Sequence, residues 1–123
     1  MNWHEASQLI KDNILKGADV NTDKSTYRIV EEVPPYQCKK YNYVGEGYKV
    51  RIGEINTIEI PLSMLEAAFH LSVENKRIYN TKIFTELYPK QRKDHPCHVH
   101  TVGKIFELSG VATAVGSNYH INK

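Results

Sequence analysis

The sequence predicts an α+β fold, and three observations predict it. Period-two alternation of apolar and polar side chains is confined to residues 27–60, helical spacing takes over from Pro61, and residues 111–121 read as a hairpin around Gly116-Ser117-Asn118. With 123 residues, 41% hydrophobic and 24% charged, the chain has the composition of a packed domain and the length of one, or of two very small ones. We expect an N-terminal helix and a small antiparallel sheet over residues 1–60, packed with a three-helix unit and its hairpin over 61–123. About 60 residues are too few for the first part to be stable alone, so the two should form one unit.

The elements follow in order. Trp3, Ala6, Leu9, Ile10 and Ile14 stand at helical spacing over 3–16, with Gly17 as the stop and 18–23 as a polar connection. Tyr27 and Ile29 alternate with Arg28 and Val30 until Pro34-Pro35 interrupts, and Tyr41 and Tyr43 continue in extended style to Gly45-Glu46-Gly47. Tyr48, Val50 and Ile52 alternate with Lys49 and Arg51, and a turn at Gly53-Glu54 leads into 55–60. This pattern predicts three or four antiparallel strands. Pro61 opens a helix whose stripe is Leu62, Leu65, Ala68 and Phe69. Asn80 is placed to cap a second helix over 81–88, with Ile83, Phe84 and Leu87 inward and Pro89 ending it. Residues 90–96, polar and basic, read as a solvated loop. A third helix over 97–109 turns Val99, Val102, Ile105 and Phe106 inward and stops at Gly110. In the hairpin, Val111, Thr113 and Val115 share a face with Tyr119 and Ile121.

Composition excludes several classes of function. No run approaches the roughly 18 apolar residues of a membrane span, so no membrane partner is expected. The N-terminus is polar and acidic, unlike a secretory leader. Two cysteines, Cys38 and Cys97, are too few for a disulfide framework, which makes the cytoplasm the expected location. Net charge is only +2, but it is uneven: residues 1–60 carry −1 and 61–123 carry +3 with five of the six histidines. Localised positive charge is the usual footprint of a nucleic-acid face.

Clusters able to do chemistry are few. His95, Cys97, His98 and His100 crowd four candidate metal ligands into six residues, whereas zinc sites use separated pairs, and only Cys38 or His120 could supply the second. Neighbours on a helix point about 100° apart, so His98 is badly placed as a base for Cys97. Glu31-Glu32 and Glu54 with Glu59 are not carboxylate pairs in an apolar setting. Gly45-Glu46-Gly47 lacks the following helix of a phosphate loop. We therefore expect no catalytic residue, cofactor or metal, with a small metal-dependent enzyme on 95–100 as the remotest alternative. Tyr36, Tyr41, Tyr43 and Tyr48 interleave with Lys39, Lys40, Lys49 and Arg51. Sharing a face, they would make a stacking platform for single-stranded nucleic acid or a planar ligand; otherwise they pack as half-buried strand residues.

Three short helices running directly into a hairpin resemble a winged helix-turn-helix domain over residues 61–123. The resemblance is carried by Thr101-Val102-Gly103-Lys104-Ile105-Phe106-Glu107-Leu108-Ser109-Gly110-Val111, a helix end passing through glycine into a strand, and by Gly116-Ser117-Asn118-Tyr119-His120-Ile121 as a short wing and return strand. The eight residues 89–96 depart from the three or four of a tight turn. As a whole, the chain resembles small proteins of bacterial genomes and mobile gene cassettes. The resemblance implies a third helix in the major groove and a wing on the backbone or minor groove. It therefore implies a non-catalytic protein that binds double-stranded DNA, as a regulator or accessory factor of a mobile element. The contact residues it implies are Arg92 and Lys93 before the third helix, His100, Thr101 and Lys104 on its outward face, and Asn118 in the wing. His98 falls at the edge of that face and Glu107 at its far end. The alternative is a protein–protein adaptor, or a module forming a homodimer, that uses the Tyr-rich sheet.

Overall fold

Asn2 opens the first helix, α1 (Trp3–Asn13), through a reciprocal capping box: its side chain accepts from the Glu5 amide at 2.9 Å while the Glu5 carboxylate accepts from the Asn2 amide at 3.2 Å. The structure, a computed structural model, describes residues 1–22 and 26–123. The helix stops short of the expected Lys16, because Ile14 leaves it in extended geometry (φ −95°, ψ 92°) and buries its side chain in the core. Residues 17–20 then run along the edge of β1 (Arg28–Glu32), where the Gly17 and Val20 amides donate to the Val30 and Arg28 carbonyls, both at 2.8 Å. The connection expected over 18–23 is thus partly a strand partner, and its last residue, Asp23, lies outside the described residues.

β1, β2 (Gly47–Ile52) and β3 (Asn56–Pro61) form an antiparallel sheet in that order. The register Val30↔Val50↔Ile58, with Tyr48↔Ile60, gathers one buried face; Lys49↔Glu59 and Arg51↔Thr57 lie on the other. Tyr41 and Tyr43 do not extend this sheet. Residues Lys40–Asn42 form a 3-10 turn in which Tyr41 and Asn42 take left-handed backbone, φ 55° and 61°.

Pro61 both ends β3 and caps α2 (Leu62–Glu74), whose buried stripe is Met64, Leu65, Ala68, Phe69 and Ser72. A two-residue strand, β4 (Ile78–Tyr79), precedes α3 (Thr81–Leu87), capped by Asn80, whose side chain accepts from the Ile83 amide at 3.2 Å. Residues expected as a loop form a fourth short helix, α4 (Pro89–Asp94). Proline is favoured in the first turn and Lys, Gln and Arg are good helix formers; none of its residues is buried, so no apolar stripe announces it. The helix α5 (Cys97–Leu108) buries Val99, Val102, Ile105 and Phe106, and β5 (Ala112–Val115) and β6 (Asn118–Ile121) follow. Pairing of Val115 with Asn118 leaves Gly116-Ser117 as a two-residue turn, with Gly116 at φ 62°. β6 is central in a second antiparallel sheet of order β4-β6-β5. Thr113 and Val115, expected to share a face with Val111, are exposed, whereas Val111 and the directly paired Ala112 and Ile121 are buried in the core.

The fold is therefore α+β, with both halves closing one core: Ala6 and Ile10 of α1, Val50 and Ile60 of the first sheet, Leu65, Phe84, Phe106 and Ile121 belong to a single apolar cluster. Among the described residues no helix is long and apolar enough to cross a membrane.

Gly103 sets the spacing between α5 and the second sheet. A Cβ at this position would fall inside van der Waals contact with the Tyr119 ring. Gly103→Ala is expected to destabilise by about 1–2 kcal/mol, as overpacking outweighs the gain in helix propensity. In a Tyr119→Ala background the same substitution should stabilise, by up to about 1 kcal/mol. Urea unfolding of the four variants would reveal this reversal of sign, and additive effects would refute the close approach.

Candidate nucleic-acid interface

The outward face expected on α5 is largely covered. Thr101 is fully buried: its hydroxyl donates to the Cys97 carbonyl (2.8 Å) and accepts from Arg28 Nη1 (3.0 Å), which also donates to the Cys97 carbonyl (3.3 Å). The first sheet thus reaches across the N-terminal half of α5, and Thr101 cannot touch a duplex while it does. His98 is not at the edge of an exposed face either. It is fully buried, stacked on Phe84 at 6.1 Å, with its ring nitrogens 3.2 Å from the carbonyls of His95 and Glu59.

His100, Lys104 and Glu107 remain half-exposed, but they line a groove together with Thr22 and residues of the β5–β6 hairpin. Lys104 spends part of its charge on Glu107, 3.0 Å away. Asn118 sits at the base of the wing, where its side-chain oxygen accepts from the Asn80 amide group at 3.2 Å and ties the hairpin to the cap of α3. Arg92 and Lys93 lie on α4, at the other end of α5: a rise of 1.5 Å per residue puts Cys97 about 10 Å from Lys104 along the helix. The structure therefore divides the six expected contact residues among four places.

It brings others together. Glu59, on β3 and 2% exposed, accepts from the Tyr36 hydroxyl and from the amides of Lys39 and Lys40, both at 2.6 Å. Lys40 Nζ donates to the carbonyl and hydroxyl of Thr57 at 2.6 and 2.7 Å. Burial pushes the Glu59 carboxyl up, but the Tyr36 hydroxyl and the two amides outweigh it and hold the group below the usual carboxylate range. The same hydrogen bond, with burial, drives Tyr36 up to about 12. Beyond this anchor the left-handed turn carries Tyr41 against His95, ring centroids 5.4 Å apart, at the α4–α5 corner. The segment that carries Lys39 and Lys40 thus meets, through Tyr41, the corner that follows Arg92 and Lys93. Among the described residues none of the four has a carboxylate within ion-pair distance, the pairs present being those of Lys11, Lys49, Arg51, His70 and Lys104. Asp94 is the acid of this corner; after burial, its charge is the next cause that raises the Tyr41 phenol.

The tyrosines do not make a stacking platform. Tyr48 is fully buried with its hydroxyl 3.5 Å from the Ile10 carbonyl, Tyr36 is held by Glu59, and Lys49 and Arg51 pair with Glu31 at 3.9 and 2.5 Å. The 95–100 cluster does not converge on one point: His95 and His98 touch edge to face, ring centroids 6.1 Å apart, but His95 also faces Tyr41, His98 faces two carbonyls, and His100 lies in the groove. Among the described residues no three His, Cys, Asp or Glu side chains are grouped to hold a metal ion. The signal for Lys39 and Lys40 was visible as basic residues beside tyrosines, but their placement depends on Glu59, some 20 residues away. No known protein family, curated protein or solved structure matches this chain.

Proposed function

We propose that this is a non-catalytic protein that binds duplex DNA through its phosphate backbone. The observation that carries the reading is the set of four cations, Lys39, Lys40, Arg92 and Lys93, assembled from two distant segments without ion-pair partners among the described residues. Unpaired Lys and Arg side chains on one surface attract phosphates and release counterions when they bind. The element order from α2 to β6, with strand order β4-β6-β5, supports a winged-helix reading of residues 62–121. In such a unit α5 would be the third, base-reading helix, but Arg28 and the first sheet lie over Thr101. Contacts to the backbone rather than to base edges are the consequence, and these position a protein on DNA without selecting a sequence. An accessory role suits that mode better than site-specific regulation.

Binding of fluorescent random-sequence duplex across a series of salt concentrations tests this. Log affinity should fall linearly with log salt. The Lys39→Ala/Lys40→Ala and Arg92→Ala/Lys93→Ala pairs should each flatten the slope by about two units, one per lost phosphate contact. Lys104→Gln, already engaged by Glu107, should leave it unchanged. No binding at low salt, or slopes insensitive to both pairs, would refute the proposal.

A further inference from the structure

We propose that two copies of this chain pair through the open edge of β5, as antiparallel strands about a twofold axis at Ala114. Unpaired amides and carbonyls along a sheet edge are a template for another strand. The two sheets have four outer edges between them, and the chain itself closes three. Along β1, the Gly17 and Val20 amides donate to the Val30 and Arg28 carbonyls, and the Val30 amide donates to the Ala18 carbonyl at 2.9 Å. Along β3, the outward carbonyls of Thr57 and Glu59 face Lys40 Nζ and a ring nitrogen of His98, at 2.6 and 3.2 Å. On β4, Asn75 engages both outward groups of Ile78. The Ile78 amide donates to the Asn75 carbonyl at 3.0 Å, and its carbonyl accepts from Asn75 Nδ2 at 3.4 Å.

The fourth edge is β5, and the phase of its ladder fixes what it presents. The Asn122 amide donates to the Val111 carbonyl at 2.8 Å, in step with the pairing of Ala112 with Ile121. Alternation then turns the backbone groups of Thr113 and Val115 towards His120 and Asn118, and those of Ala112 and Ala114 away from β6. The other side of β6 agrees: the Ile121 amide donates to the Arg77 carbonyl, so the groups of His120 face β5. Ala114 is exposed, and among the described residues nothing bonds to its outward amide or carbonyl. Ala112, only 4% exposed, lies at the covered end, which centres the opening on Ala114.

The occupant is a second copy because this edge is complementary to itself. An axis at Ala114 lets its amide and carbonyl exchange two hydrogen bonds with those of its copy. Val115, 52% exposed, then lies opposite Thr113 of the other copy, a β-branched pair on one face. A twofold axis also brings charges on the strand close to their own copies, and like charges opposite each other are unfavourable. The run Ala112-Thr113-Ala114-Val115-Gly116-Ser117 holds no charge and no proline, and β5 has no bulge, the devices that ordinarily keep edges apart. Strand pairing through the first sheet is blocked by the closures on β1 and β3. With no second open edge, the assembly stops at two copies.

Sedimentation equilibrium of the intact chain, with amide hydrogen exchange read by NMR, tests the pairing. The mass should rise with concentration from one chain to two and no further. The Ala114 amide should exchange freely in the monomer and become protected as the dimer forms, whereas the Thr113 and Val115 amides, bonded to β6, should keep the same protection. Ala114→Pro removes the outward amide and leaves the β6 ladder whole; Val115→Lys keeps the fold and sets charges beside the axis. Each should raise the dimer dissociation constant about tenfold or more, the scale of the two reciprocal bonds that the proline removes. Arg92→Ala/Lys93→Ala should dimerise like the wild type, which separates the pairing from duplex binding. A chain still monomeric at about millimolar concentration would overturn the proposal. So would a dimer whose Ala114 amide stays unprotected and which Val115→Lys leaves intact, because another surface would then hold it.

Discussion

Replacing Glu59 with alanine is expected to remove about 4 kcal/mol of stability and to lower duplex affinity in the same variant. The carboxylate holds three donors, the Tyr36 hydroxyl and the Lys39 and Lys40 amides. Each hydrogen bond to a charged group contributes roughly 1.5–3 kcal/mol, and water entering the loosened loop recovers part of the total. Glu59→Gln should fall between the two, because its NH₂ would face donors. Loss of the anchor also frees Lys39 and Lys40 from the α4 corner, so the salt slope of binding should flatten as it does in their double variant. The pH dependence has a definite sign. The folded carboxyl lies below its ordinary 4.5, so its contribution is complete above that pH and is lost as pH falls through the lower folded value. Urea unfolding at neutral pH decides the matter: a loss under about 1 kcal/mol would show that the anchor is replaceable by water.

Much of this fold was legible because local rules and tertiary packing agree. The Asn80 cap, the Pro61 boundary, the α2 stripe and the glycine turn of the hairpin each follow from a residue type in its favoured place. What escaped has specific causes. β4 is two residues long and exists because Ile78 and Tyr79 pair with His120 and Tyr119, some 40 positions later. α4 buries no residue, so periodicity is silent where propensity and Pro89 are not. Tyr41 and Tyr43 read as strand, but Glu59 pulls the preceding amides into a turn. The site was harder to read than the fold. Helical spacing places Thr101 outward only on an isolated three-helix unit; Arg28, 73 residues earlier, closes over it. Arg92 and Lys93 were recognisable as cations, whereas their companions Lys39 and Lys40 depend on a contact between halves that no pattern within either half contains.

His98 is where that contact should show itself in solution. Its ring lies between two carbonyl oxygens, that of His95 beside its own helix and that of Glu59 on β3, each 3.2 Å from a ring nitrogen. A neutral imidazole has one N–H and can satisfy one of them; an imidazolium satisfies both but must carry its charge fully buried. Burial dominates and lowers the group's affinity for protons, reinforced by the nearby charges of His95 and Lys40 and opposed by the two carbonyls. The unfolded chain therefore binds a proton that the folded one resists. Stability should be complete above the ordinary 6.5 and should decline as pH falls from there towards the lower folded value. His98→Asn removes the titrating group, keeps a donor for one carbonyl, and is expected to cost about 2–3 kcal/mol at neutral pH through the lost stacking on Phe84 and the space left by the smaller side chain. Its unfolding free energy should then vary less with pH than that of the wild type between neutrality and about pH 5, and the other histidines cancel in that difference. Parallel pH curves for the two proteins would mean that His98 titrates alike folded and unfolded, and that the junction between α5 and the first sheet opens to water without unfolding.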